Sequence, residues 1–274
     1  MAALVAVLAL SCSGCPILCP PPPPLPQPVL VAALNARAEH FRSLADSHVR
    51  LKLRLKGSGG WHSQPSIGGA LAFDSERPGL WLRGEKLGQQ VLALRATDEG
   101  FSLKIFPTEE LVTGSAVSYQ KLPFLIDPRE VRFWFSTAEA MGLAGEGATM
   151  ALERDCYRFD VAGAGGGRRE VYVDRRRLVV RRIVDYLPAP AEEVYSEVLL
   201  DDYGTVDGWD VPRLVTISRP LDGYKLELKL GKTTLNPSVR QEFFKPLEQA
   251  PTGWRHIDLD VSPPSDVEFF GGGE

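Results

Sequence analysis

The sequence predicts a mainly β protein: one strongly curved antiparallel sheet or barrel carrying a few helices. Three observations lead there. In Val49-Arg50-Leu51-Lys52-Leu53-Arg54-Leu55-Lys56 every odd residue is apolar and every even one basic, which is the period of a strand with one dry and one wet face. Tyr224–Leu230 repeats the form, with Tyr224, Leu226, Leu228 and Leu230 set against Lys225, Glu227 and Lys229. Short one-sided segments recur elsewhere, joined by turn chemistry such as Asp98-Glu99-Gly100, Asp207-Gly208 and Asp222-Gly223, as antiparallel hairpins require. One-sided strands in this number need a single apolar space to face, and a curved sheet or barrel provides it. Val49, Leu51, Leu53, Leu55, Leu226, Leu228 and Leu230 are therefore candidates to line that space.

The 274 residues fit one large domain, and 44% hydrophobic with 24% charged residues is an ordinary globular composition. A net charge of -4 argues against a nucleic-acid binder, which carries a basic excess. The abundance of glycine (26) and proline (22) fits many turns and short strands.

The N-terminus reads as an address. Residues 2–10 form an uncharged apolar run of signal-peptide length, too short to span a bilayer. Ser11-Cys12-Ser13-Gly14-Cys15 follows and resembles a bacterial lipobox, with small residues before a cysteine that becomes acylated. Cys15 is the better acceptor, because Leu10 stands close before Cys12 and Leu18 directly before Cys19. Residues 1–14 are then the signal peptide. Residues 15–28 are the acylated cysteine and a proline-rich tether, stiff and extended because polyproline II needs no partner. Pro16 after the cysteine, where an aspartate often retains lipoproteins at the inner membrane in some bacteria, points to an outer-membrane anchor facing the periplasm.

The folded domain is expected over residues 29–260, followed by a flexible tail at 261–274. Val29–Leu44 has apolar residues three and four apart, so one amphipathic helix is predicted there. Strands are expected at Val49–Lys56, Ile67–Phe73, Leu80–Arg83, Gln90–Ala96, Phe101–Phe106, Thr149–Glu153, Tyr157–Val161, Glu170–Val173, Leu178–Tyr186, Glu193–Leu200, Arg213–Arg219 and Tyr224–Leu230. A second helix is expected at Asp127–Met141, with Pro128 suited to a first turn and Phe133, Trp134 and Phe135 forming its apolar load.

Chemistry is hard to find in the chain. His40, His48, His62 and His256 are scattered, no zinc spacing survives processing, and there is no nucleophile elbow or Walker loop. Neither a metal, a cofactor nor a catalytic residue is expected, and a non-enzyme is favoured. Cys156 reads as a buried free thiol, with pairing to Cys19 as the alternative. Gly163–Gly167 reads as a hairpin loop. Arg175-Arg176-Arg177 and Arg181-Arg182 read as a solvated hairpin surface rather than a lipid-headgroup site.

Three stretches resemble the LolA/LolB-like family of periplasmic lipoprotein carriers and outer-membrane lipoprotein receptors. They are Arg83–Leu94, a hairpin carrying Leu87-Gly88; Asp127–Met141 with Phe133-Trp134-Phe135; and Leu235-Asn236-Pro237 through Phe244, closed by Pro251-Thr252-Gly253-Trp254 and a last strand to Leu259. The resemblance implies an unclosed β-barrel whose helices lid an apolar cavity for acyl chains of lipoproteins or lipids. It implies a lid helix at Phe133, Trp134 and Phe135, and a cargo-transfer loop with Leu87 exposed at its tip. It also implies a soluble carrier protein as partner, beside the membrane contact that the lipid anchor makes; nucleic acid is already disfavoured by the charge balance. The carrier branch uses an arginine inside the barrel, for which the sequence alone offers no counterpart. A protein-interaction module built on the same scaffold is the alternative role.

Overall fold

A computed structural model describes residues 22–122, 125–135 and 141–267. The predicted signal peptide, Cys15 and the tether up to residue 21 lie outside these residues, as do 268–274. Among these residues two α-helices, α1 (Gln27–Ala38) and α2 (Pro128–Phe135), accompany one sheet. Its strands are β1 (Ser43–Gly57), β2 (Gly60–Ser63), β3 (Ile67–Asp74), β4 (Gly79–Lys86), β5 (Gln89–Thr97), β6 (Gly100–Ile105), β7 (Glu110–Ser115) and β8 (Thr149–Glu153). They continue with β9 (Cys156–Ala162), β10 (Arg168–Asp174), β11 (Val180–Tyr186), β12 (Val194–Val206), β13 (Trp209–Arg219), β14 (Tyr224–Lys229), β15 (Thr233–Leu235) and β16 (Arg255–Asp258).

The long strand β1 is the spine. One meander runs from it through β3, β4, β5, β6 and β7 to β16; the other runs through β14, β13, β12, β11, β10 and β9 to β8. The two ends of this path do not pair with each other, so the barrel is unclosed. Every pairing is antiparallel except β16 on β7. Neighbouring strands alternate in direction, so the β1–β2, β4–β5, β9–β10, β11–β12 and β13–β14 turns all fall at one end of the sheet.

A bulge between Asp46 and Val49 bends the spine. Its cause is the buried Asp46 carboxylate, which accepts from the His48 amide (2.8 Å), the Lys232 amide (3.0 Å) and the Thr233 hydroxyl (2.7 Å). Paired this way, the carboxylate holds β15 against the lower part of β1 while β14 takes the upper part. Bulges of this kind increase local twist and allow a sheet to curl.

The helix expected at Val29–Leu44 is shorter and starts earlier. Leu30, Leu34 and Ala38 are its buried stripe. Phe41 and Leu44 keep helical spacing, yet the chain breaks before them. Asn236 is the cause, since its carboxamide accepts from the Arg42 amide (2.9 Å) and donates to the His40 carbonyl (2.8 Å). Leu44 thus belongs to β1. Strand β7 escaped prediction because Leu111 and Val112, neighbours that point to opposite faces of the sheet, are both buried.

That segment straps the convex side. Phe244 lies on Gly79, where a Cβ would sit 2.6 Å from the ring, and Phe243 tilts over Trp81 at 6.1 Å. Trp254 meets Phe106 edge-on at 5.3 Å before β16 adds to β7. Of the expected tail, residues 261–267 include a 3-10 turn at Pro264–Asp266, and Val267 is buried.

The end of the tether is docked. Arg175 is buried, donating to the Pro22 carbonyl (2.6 Å) and the Arg154 carbonyl (2.9 Å), and the Leu25 amide donates to the Tyr157 hydroxyl (2.7 Å). The expected solvated surface is therefore corrected at Arg175: its guanidinium is used to pin backbone. Gly163–Gly167 is the β9–β10 turn, closed by the Gly163 amide on the Gly167 carbonyl at 2.8 Å.

Candidate functional site

The concave wall is built by cross-strand register. Leu51 faces Leu228, Leu53 faces Leu226 and Leu55 faces Tyr224 across β1 and β14, and directly opposed residues share one face of a sheet. Val49, Leu51, Leu53, Leu226, Leu228 and Leu230 are buried, whereas Leu55 is half-buried towards the end with the hairpin turns. Leu51, Leu53 and Leu226 border an apolar cleft with Ile67, Leu82, Leu92, Leu94 and Leu103, and Gln64 and Pro65 close it from the β2–β3 loop. Val49, Leu55, Leu228 and Leu230 do not border it. The cleft holds about 30 Å³, whereas small-molecule pockets run to roughly 300–1,000 Å³. This conformation is closed to an acyl chain, and its own leucines fill the space.

Inside the curve lies α2. Asp127 starts it by accepting the Arg129 amide at 2.8 Å, while also pairing with the Arg129 guanidinium at 2.5 Å. The three predicted lid residues point different ways. Phe135 stacks on Phe41 (5.2 Å) and Phe73 (6.2 Å). Trp134 is buried, and its indole nitrogen has no acceptor among the described residues. Phe133 is half-buried beneath the Arg169 guanidinium, which lies 4.7 Å from its ring centre.

A charged group on the concave face fixes this helix to the wall. Val215, Ile217 and Arg219 follow one another inward along β13, and Arg219, only 2% exposed, meets Glu130 of α2 at 3.1 Å. Tyr195 and Tyr224 flank its guanidinium, with ring centres 5.3 and 5.9 Å away, and its Nε has no acceptor among the described residues. Arg169 and Asp185 form a second pair beside it at 2.6 Å. Burial pushes the Glu130 carboxyl above its ordinary range against the opposing pull of Arg219. Burial lowers and Glu130 raises Arg219, with a net rise. Both directions are consistent: the arginine stays charged, and the carboxylate bears the desolvation cost.

None of these four charged residues was among the sequence candidates. A signal existed, because the alternation Val215, Ile217, Arg219 places a cation on the dry face. It could be recognised only once the facing elements were known.

Leu87 is 97% exposed at the tip of the β4–β5 hairpin, at the same end of the sheet as Gln64 and Pro65. Leu87 (φ 52°) and Gly88 (φ 78°) both lie in the left-handed region. That is a hairpin turn in which Asn-Gly is preferred and a bulky residue is strained. Cys156 is half-buried and has no disulfide partner among the described residues, with burial as the largest cause pushing its thiol up; Cys19, its alternative partner, lies outside them. Among the described residues no group of three or more His, Cys, Asp or Glu side chains suits a metal ion. No helix there is long and apolar enough to cross a membrane.

No protein-family model matches the chain, and no curated protein matches it. Solved structures do. A domain named for outer membrane lipoprotein sorting from Vibrio parahaemolyticus aligns at TM-score 0.51 and 10% identity, covering 79% of this chain and 94% of that one. A DUF1329 family protein from Desulfovibrio piger aligns at 0.51 and 11% identity, covering 80% and 95%. A LolA superfamily protein from Nitrosomonas europaea aligns at 0.50 and 9% identity, covering 78% and 97%. The likeness is one of fold, and it spans nearly the whole of each neighbour: this chain has the LolA-like fold.

Proposed function

We propose that the protein is an envelope acyl-chain carrier or receptor, a non-enzyme acting in lipoprotein sorting or outer-membrane biogenesis. The acylated Cys15 holds it at the outer membrane facing the periplasm. The observation that carries this reading is the apolar cleft bordered by leucines of β1, β4, β5, β6 and β14 within the LolA-like fold. A cleft whose strand residues are leucine and isoleucine recognises hydrocarbon by exclusion from water and tolerates differences in chain.

Loading then requires movement, because about 30 Å³ admits little more than a water molecule. The leucines and the Gln64-Pro65 loop must part to widen the cleft, and a shift of α2 inside the same curve, which the Glu130–Arg219 pair resists, would give them room. Leu87 is the transfer residue, exposed on a strained turn so that it can enter the bilayer or meet a soluble carrier.

The test uses the purified full chain and a fluorescent fatty acid. Saturable binding, competed by an acylated peptide, supports the proposal. A folded protein with no saturable binding refutes it. Leu87→Glu is expected to abolish delivery of an acylated peptide to vesicles while leaving its binding intact. A second reading is favoured by the small cleft itself: a scaffold whose interior is filled by its own side chains and which serves an envelope complex through its surface. Native mass spectra of protein extracted from cells separate the two, since the first predicts co-purified lipid and the second a bound protein.

A further inference from the structure

We propose that the convex face of β1 and β14 is a docking surface for an anionic phospholipid bilayer, used by the folded domain in addition to any covalent anchor. Because Leu51, Leu53 and Leu226 are inside, the intervening residues project outward. Arg50, Lys52, Arg54 and Lys56 on β1 lie beside Lys229, Glu227 and Lys225 on β14. That is six cations with a single carboxylate among them, on a chain whose net charge is -4. Two of the register pairs, Arg50↔Lys229 and Arg54↔Lys225, set like charges directly opposite each other, an arrangement that destabilises a sheet.

The flanking strands provide no neutralising charge. Arg50 is opposite Gly68, Arg54 opposite Ser63 and Lys56 opposite Trp61. On the far side Lys229 meets Leu214, Glu227 meets Thr216 and Lys225 meets Ser218. Among the described residues the ion pair in this stripe is Arg54 with Glu227 at 3.4 Å. The other half of the convex sheet is built differently: there Arg158, Arg168 and Arg182 pair with Glu153, Asp160, Glu170 and Glu197. A stripe of six cations eased by Glu227 alone among the described residues, beside a neutralised lattice, is the signature of a surface completed by an external polyanion.

The end of the stripe selects a bilayer over an acidic protein. Trp61 and Leu221 are each 49% exposed there, and the β13–β14 turn carrying Leu221 is tied to Lys56, whose amide donates to the Gly223 carbonyl at 2.7 Å. A half-exposed tryptophan and a leucine ahead of a row of cations suit a membrane interface. The rings settle at headgroup depth, while long cationic side chains reach the phosphates. An even array of charge on a sheet provides no pocket for one particular acidic side chain, and a fluid headgroup layer needs none.

The experiment is cosedimentation of the full chain with phosphatidylcholine vesicles, with and without a third of phosphatidylglycerol. Leu87 is kept in every variant, so cargo transfer and docking are separable. Binding is expected to strengthen markedly with phosphatidylglycerol and to weaken in high salt. The variant Lys52→Gln, Lys56→Gln, Lys225→Gln, Lys229→Gln is expected to lose anionic-vesicle binding by more than about tenfold. The matching Lys→Arg variant should retain it. Thermal melts of the glutamine variant should be unchanged or higher, since repulsion is relieved, which excludes misfolding as the cause. Equal binding to neutral and anionic vesicles, or undiminished binding by the folded glutamine variant, overturns the proposal.

Discussion

The two halves of the concave wall hold their contents by different means. From β1 through β6 the inward residues around the cleft are leucine and isoleucine, whose attraction has no direction and little penalty for rearrangement. Towards β13, β11 and β10 the wall bears Arg219, Asp185 and Arg169, which grip α2 through Glu130 and Phe133. The difference teaches that greasy surface supplies capacity while buried charge supplies position. A leucine wall can yield to a guest, whereas an arginine without its carboxylate cannot be left in a dry site.

Breaking the charged side should give the largest effect. Glu130→Ala strands an arginine that cannot shed its proton, and is expected to cost roughly 3–4 kcal/mol in urea unfolding, while α2 loosens and uptake of a fluorescent fatty acid accelerates. Arg219→Ala should cost less, because the carboxyl left behind can neutralise itself by protonation. Equal costs for the two would mean that the buried arginine and carboxylate do not differ in how they tolerate losing their partner.

Enlarging the apolar side should come next. Leu226→Ala beside the cleft is expected to cost about 3 kcal/mol and yet tighten fatty-acid binding, since the lost methyl groups leave room for the guest. A loss of stability without tighter binding would mean that the leucine wall does not receive cargo.

The tip of the β4–β5 hairpin sharpens the comparison, because Leu178 has the same backbone conformation (φ 52°) but packs against the core. Burial offsets the strain at Leu178 and nothing offsets it at Leu87. Leu87→Asn should therefore raise stability by about 1 kcal/mol while weakening transfer to vesicles. Leu178→Asn should destabilise. A fall in stability at both positions would indicate that Leu87 already has a structural role.

The gentlest test is pH. Burial holds the Glu130 carboxyl above its ordinary value of 4.5, so the folded state favours the protonated form more than the unfolded chain does. Its contribution is complete below about pH 4.5 and is lost as pH rises through the folded value. Unfolding free energy measured from pH 4 upward should carry this falling component in the wild type, and Glu130→Gln should remove it. An identical profile in the variant would refute the assignment.

Much of the sheet was legible from the chain because a strand with one dry face repeats every second residue, and β1 and β14 follow that period closely. The alternation alone determined the mainly β class and put Leu51, Leu53 and Leu226 on inward faces, whereas an exposed Leu87 was implied only by the family resemblance. Wherever a strand is covered on both faces, as at Leu111 and Val112, the period vanishes and so did the prediction. The end of α1 depended on Asn236, about two hundred residues away, whose carboxamide competes for the backbone groups that would have continued the helix. Only the tertiary structure could reveal the Glu130–Arg219 pair, the pinning of Pro22 by Arg175 and the nearly filled cleft. Each depends on which distant groups meet in a dry interior, where a charge must find a partner and volume must be filled, and no local pattern encodes either condition.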